Sequence, residues 1–243
     1  MFTLRAFGRH VGAASLAGIV AGAFVAGVLG RIAMRVSGSL SAPELVGSAT
    51  AAGNRVGEIT FGGTMALAVF VGIPAGILGA VLFATAEPWL RRFRPWQGVA
   101  FGLVLLLAGG SIFIEASNFD FQRFGPPSLN VAMFAALYVV FGALIARLFD
   151  RFRRAIPGTG RLGALEVVGW LAALAVGALS VLFFTSVGGL GDPLLLIAFA
   201  AVAIVPAVVW WRGLPPVIAY ATFALPILVG AQRTLTGIGQ ILN

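Results

Sequence analysis

Between His10 and Arg31 the chain carries no charged residue, and Ser15 is the single polar side chain in that interval. An uncharged apolar stretch of about 20 residues is what a helix needs to cross the hydrocarbon core of a bilayer. Comparable runs recur along the sequence, so membrane insertion constrains the fold more than any motif does. The 243 residues are 60% hydrophobic and 10% charged, whereas soluble domains are about a quarter charged. The alternating ten-residue segments of a membrane β-barrel are missing. The expected class is therefore an all-α polytopic membrane protein, a bundle of six to seven transmembrane helices. Residues 1–243 form a single membrane domain, because no polar stretch is long enough for a second.

Within residues 11–36, small residues recur every fourth position: Ala14, Gly18, Gly22, Ala26 and Gly30. On a helix they make a smooth strip that admits a neighbouring backbone, as in small-xxx-small membrane packing. One step around the helix, a second line reads Ala23, Gly27, Arg31, Arg35. The spans are expected at about 11–36, 64–85, 98–113, 129–149, 162–187, 194–211 and 217–230. The last is short and interrupted by Pro226, so six spans is the alternative. The second repeats the small-residue strip at Gly72, Gly76, Ala80 and Ala84, and Pro74 should kink it. The fifth carries a third strip, Gly169, Ala173 and Gly177. Between the first two spans, residues 48–61 alternate loosely around a Gly53-Asn54 turn signal, which predicts a short extracytoplasmic β-hairpin.

All 16 basic residues are arginine. With a cytoplasmic N-terminus, eleven fall inside (Arg5, Arg9, Arg91, Arg92, Arg94, Arg147, Arg151, Arg153, Arg154, Arg161, Arg212) and five outside (Arg31, Arg35, Arg55, Arg123, Arg233). Arginine bias in short loops sets topology. The net charge of +8 thus reads as topology rather than as a nucleic-acid surface. With seven spans the C-terminus lies outside.

The same topology gathers Arg31, Arg35, Glu58, Glu115, Asp120 and Arg123 into an outer polar cluster. Arg31 and Arg35 are one helical turn apart and share a face. The plainer reading pairs them with lipid phosphates, Glu115 or Asp120. The functional one makes them a vestibule for an anionic ligand, since guanidinium forks suit carboxylate and phosphate. Glu166 is the acidic residue placed within an apolar span. It stands either as a proton-relay candidate or as a structural partner of Arg147 or Arg161. His10, before the first span, is expected at the interface.

Much chemistry is excluded outright. Without lysine there is no P-loop and no retinal-type Schiff base. Without cysteine and with one histidine, thiolate sites, bis-histidine haem and an HExxH zinc site are impossible. No cofactor or metal is expected. Gly189-Leu190-Gly191-Asp192 looks like the GxGD element of intramembrane aspartyl proteases, and Ala224-Leu225-Pro226 has a faint likeness to their PAL element. Those enzymes need a second aspartate facing the first. Asp150 belongs to the opposite side and Asp120 to a loop. Asp192 also reads naturally as a helix N-cap before Pro193.

Three stretches, Gly30-Arg31-Ile32-Ala33-Met34-Arg35, Val56 through Thr64, and Asn118-Phe119-Asp120-Phe121 through Phe124-Gly125-Pro126, carry a resemblance. Over about its first 150 residues the chain resembles uncharacterised bacterial multi-pass membrane proteins. That resemblance implies a bacterial inner-membrane location and no known activity. The expected function is a non-enzymatic accessory subunit or lipid-interacting scaffold, with anionic lipids, a protein partner or a second copy docking through the glycine strips. A small transporter or channel with an outer arginine vestibule is the alternative, and a GxGD protease a remote one.

Overall fold

The computed structural model describes residues 4–49, 55, 58–114, 116–118, 120–156, 167, 171, 208–209, 212 and 216–243. The fifth and sixth expected spans, the third glycine strip, Glu115, Glu166 and the GxGD element at Asp192 lie outside the described residues. Helix α1 (Leu4–Gly22) continues through a π-helical segment (Ala23–Leu29) into α2 (Gly30–Ser39). Helix α3 (Phe61–Ala66) passes through a second π-helical segment (Leu67–Gly72) into α4 (Ile73–Leu90). Then follow α5 (Gln97–Gly109), the short α6 (Asp120–Arg123), α7 (Pro127–Ala155) and α8 (Pro216–Leu242).

Among the described residues, three helices are long and apolar enough to cross a membrane: Arg9–Ser39, Phe61–Phe93 and Pro127–Ala155. The apolar helix Gln97–Ile112 is shorter. All three run past the expected limits at both ends, because their terminal turns accept polar residues that a hydropathy boundary cuts off. The seventh segment corrects its expectation. It is one helix of 27 residues continuing past Pro226 and Gly230 to Leu242, since the later turns pack on the rest of the bundle. The expected hairpin reduces, among the described residues, to an isolated antiparallel bridge between Ala49 and Arg55 with no strand.

The small-residue strips of the first two spans pack on each other. A Cβ on Gly18 would lie 2.5 Å from the Gly76 carbonyl oxygen and 2.6 Å from Ile77 Cα. Gly22 meets the Gly72 carbonyl more tightly still. Only hydrogen fits there, so the backbones approach to a distance at which Cα–H groups contact carbonyl oxygens. These glycines are therefore taken out of the surface open to a partner. A second crossing joins α5 to α7, where Gly102 lies under Tyr138 and Val139, and Gly98 under Gly142. A third joins α8 to α5 through Gly230 and Ala108.

Beyond the first crossing the strip departs from strict four-residue spacing. Gly18 faces Gly76, Gly22 faces Gly72, Gly27 faces Ala68, and Arg31 faces Gly63. The step from Gly22 to Gly27 spans five residues and falls in the first π segment, whose turn is wider than that of an α-helix. Gly30, expected on the seam, has only the tip of Leu67 within 3.7 Å from the facing helix. The two π segments lie against each other. The second ends next to Pro74, which has no N–H and would press on the carbonyl four residues back. The wider turn absorbs the irregularity expected as a kink.

The main core gathers Ala13, Ala17, Ala80, Phe83, Phe101, Ile145 and Phe149. Phe83 stands edge-on to Phe101 at 5.1 Å and to Phe149 at 5.6 Å, the aromatic geometry favoured by ring quadrupoles. A smaller core of Ile114, Phe121, Val131 and Ile241 closes the other end. On the first span Val20, Phe24, Val28 and Ile32 are exposed. Their four-residue spacing makes an apolar stripe directed away from the bundle, as lipid contact requires.

Candidate functional site

Polar side chains gather at the two ends of the bundle. At the end carrying the start of α1 and the close of α4 and α7, Glu87 is 1% exposed. Its two carboxylate oxygens accept hydrogen bonds from Nε and Nη2 of Arg91, both at 2.9 Å. Arg153 of α7 approaches the same carboxylate to 3.8 Å and pairs with Asp150 at 3.2 Å. Arg9 of α1 donates to the Arg153 carbonyl oxygen at 3.4 Å. Three helices are thus tied around one buried carboxylate. His10 belongs to this end within α1, its ring edge-on to Phe149 at 4.8 Å. It is partly buried against the core rather than interfacial, because the helix starts before it and carries it inward.

Glu87 lies two residues beyond the expected limit of the second span at Thr85, where a hydropathy pattern gives it no role. Its signal was the Glu87–Arg91 spacing of four, which places the two side chains on one helical face. Further out, Arg147, Arg151 and Arg154 are exposed on one face of α7 and line an open hollow of about 650 Å³ together with Leu148 and Ala155. On the turn after α4, Arg91, Arg92 and Arg94 are exposed as well, with Trp96 68% exposed.

The opposite end holds the expected outer cluster, which the structure divides. Arg31 is 7% exposed, whereas Arg35 is exposed. Glu58 pairs with Arg55 at 3.9 Å on the surface, not with either of them. Asp120 begins α6, its amide held by Asn118 Oδ1 at 3.1 Å. Arg123 lies over the Phe124 ring at 5.3 Å. Among the described residues no carboxylate pairs with Arg31 or Arg35.

The phenylalanine-rich loop is a packed cap. Asn130 donates to the carbonyl oxygens of Phe121 and Phe124 at 3.2 and 2.6 Å, and Ser37 Oγ donates to the latter at 2.7 Å. Gly125 takes φ +65°, the left-handed region glycine accepts without strain, with Ser37 directly against it. Thr234 Oγ1 accepts from the Ser111 amide at 3.0 Å, and Tyr138 donates to the Gly109 carbonyl at 2.7 Å. These bonds satisfy backbone groups left over where α5 ends.

Among the described residues no group of three His, Asp or Glu side chains is arranged to hold a metal ion. Two features remain with ligand chemistry, the exposed arginine face of α7 and the buried guanidinium of Arg31. Compared with protein-family models, curated proteins and solved structures, the chain matches none of them.

Proposed function

We propose that the protein is a non-enzymatic, lipid-interacting membrane scaffold that gathers anionic lipid headgroups at its arginine-rich end. The observation that carries this reading is the α7 face of Arg147, Arg151 and Arg154 around an open hollow. Guanidinium groups fork onto phosphate oxygens, and anionic lipid surfaces attract each such cation by about 1 kcal/mol. The apolar stripe of the first span supplies the acyl-chain contact beside the core. Glu87 and Asn130 within the helices are committed to structural bonds, to Arg91 and to the loop carbonyls, whereas the arginines of this α7 face stand exposed.

The finer topology belongs to the same proposal. Six to seven helices cross a bacterial inner membrane, the arginine-rich end faces the cytoplasm, and residues 48–61 form a small hairpin outside. The count of inner against outer arginines supports this orientation. The accessory-subunit reading stands beside the scaffold and is told apart by the same experiment.

The test is native mass spectrometry of the protein released from its source membrane with its surrounding lipid. Wild type should retain phosphatidylglycerol or cardiolipin in preference to phosphatidylcholine. The triple variant Arg147→Gln, Arg151→Gln, Arg154→Gln should lose that preference. Equal retention by both proteins would refute the scaffold reading. A stoichiometric second polypeptide released by the triple variant would replace it with the accessory-subunit one.

A further inference from the structure

We infer that Arg31 and the amino end of the helix Phe61–Phe93 form a binding site for a phosphate-type oxyanion, at the end of the bundle opposite the exposed arginine face. Arg31 as a whole residue is 7% exposed. Its Nε is buried without a hydrogen-bond partner. Among the described residues it makes no ion pair. A buried charge with nothing opposite it is among the costlier features a folded chain can carry.

The surroundings aggravate that cost. Cζ of Arg31 lies 3.1 Å from where a Cβ on Gly63 would stand, and Nη2 closer still, so the guanidinium rests on the first turn of the 33-residue helix Phe61–Phe93. The amino end of a long helix carries roughly half a positive charge, with free amides pointing outward. Thr60 Oγ1 accepts from the Gly63 amide at 3.2 Å, and the Thr60 carbonyl accepts from Thr64 at 3.0 Å. The amides of Phe61 and Gly62 have no acceptor among the described residues. Two positive features thus converge, and among the described residues nothing neutralises either.

An oxyanion resolves both at once. It accepts from the guanidinium and from the leading amides, as anions do at helix N-termini. The local sequence leaves room for it. A Cβ on Gly62 would meet nothing within 4 Å, and Gly63 gives the guanidinium its seat. Phe61 is 82% exposed beside them, on the side where acyl chains would run. The oxyanion is either the phosphate of a lipid headgroup or a free phosphate, and the chemistry of the site is the same for both. The inference does not depend on the arginine face of α7.

The experiment follows thermal unfolding by tryptophan fluorescence in a neutral detergent at constant ionic strength. Inorganic phosphate is titrated in one arm, short-chain phosphatidylglycerol in a second and short-chain phosphatidylcholine in a third. Wild type should gain stability with phosphate, which identifies a free anion, or only with phosphatidylglycerol, which identifies a headgroup. Arg31→Gln should weaken the response by about tenfold or more, the worth of a charge-assisted hydrogen bond. Gly63→Ala should also weaken it while keeping the charge, since its methyl would displace the end of Arg31 from its seat and crowd Thr60 Oγ1, 2.8 Å away. Without anion, Arg31→Gln should unfold at the same temperature as wild type or above it, because it removes an uncompensated buried charge. Absence of any wild-type response, or an undiminished response in Arg31→Gln, overturns the inference. So does an anion-free loss of stability shared equally by Arg31→Gln and Glu115→Gln, which would assign Arg31 an internal carboxylate.

Discussion

Neutralising either partner of the Glu87–Arg91 pair separates two contributions that a contact diagram merges. Glu87 is 1% exposed, whereas the side chains of Arg91 and Arg153 are 50% and 31% exposed. In Glu87→Gln both arginines can turn toward water or headgroups. The loss is then the difference between charge-assisted and neutral hydrogen bonds, about 1–2 kcal/mol. In Arg91→Ala the carboxylate stays sealed with Arg153 alone, whose nearest nitrogen is 3.8 Å away. Removing one partner of a buried pair costs about 3–5 kcal/mol, and the residual attraction to Arg153 sets the expectation near 3 kcal/mol. The double variant should then fall close to Glu87→Gln alone, a coupling of about 3 kcal/mol in a double-mutant cycle. Reversible unfolding of the reconstituted protein by SDS titration measures all four species. The reasoning is refuted if Glu87→Gln costs as much as Arg91→Ala, or if the two losses add.

Two further substitutions test the packing. Gly22→Val should prevent the first two spans from crossing, because a side chain there runs into the Gly72 backbone. Overpacking typically costs 1–3 kcal/mol, and a backbone obstacle should place this variant at or above about 3 kcal/mol, visible as a lost cooperative transition. Asn130→Ala should release the Phe121 and Phe124 carbonyls. The expected loss is about 1–3 kcal/mol, with faster proteolysis confined to residues 116–126. A loss spread over the whole chain would refute the loop as a separate cap.

The helical membrane class was legible because apolar runs of bilayer length have few other uses. So were the strips through Gly18, Gly22, Gly72 and Gly76, since a four-residue period states a helix face directly. The division between Arg31 and Arg35 was not legible. The five-residue step between Gly22 and Gly27 turns both onto the seam, but the facing helix begins at Phe61, so Arg31 rests on Gly63 while Arg35, one turn further on, is exposed. Nothing in the composition of residues 23–29 announces that step. Glu87 escaped for a different reason. A hydropathy boundary treats a charge as the end of a span, while the fold seals that charge with arginines from two helices. The bond network around Asn130 depends on residues distant in sequence meeting at one end, as Ser37 and Phe124 do, so spacing alone could not supply it.

The first π segment acts on the sequence as a change of phase. An α-helix turns about 100° per residue, so one residue more or fewer inside 23–29 rotates everything from Gly30 to Ser39 by that amount relative to the Gly18–Gly22 crossing. The π segment absorbs that rotation, so deleting a single alanine there would leave a plain α-helix with Gly27 and Arg31 still on the seam, at four-residue steps from Gly22. Distant versions of this protein that are one residue shorter in this stretch should therefore lose the wide turn and keep the arginine.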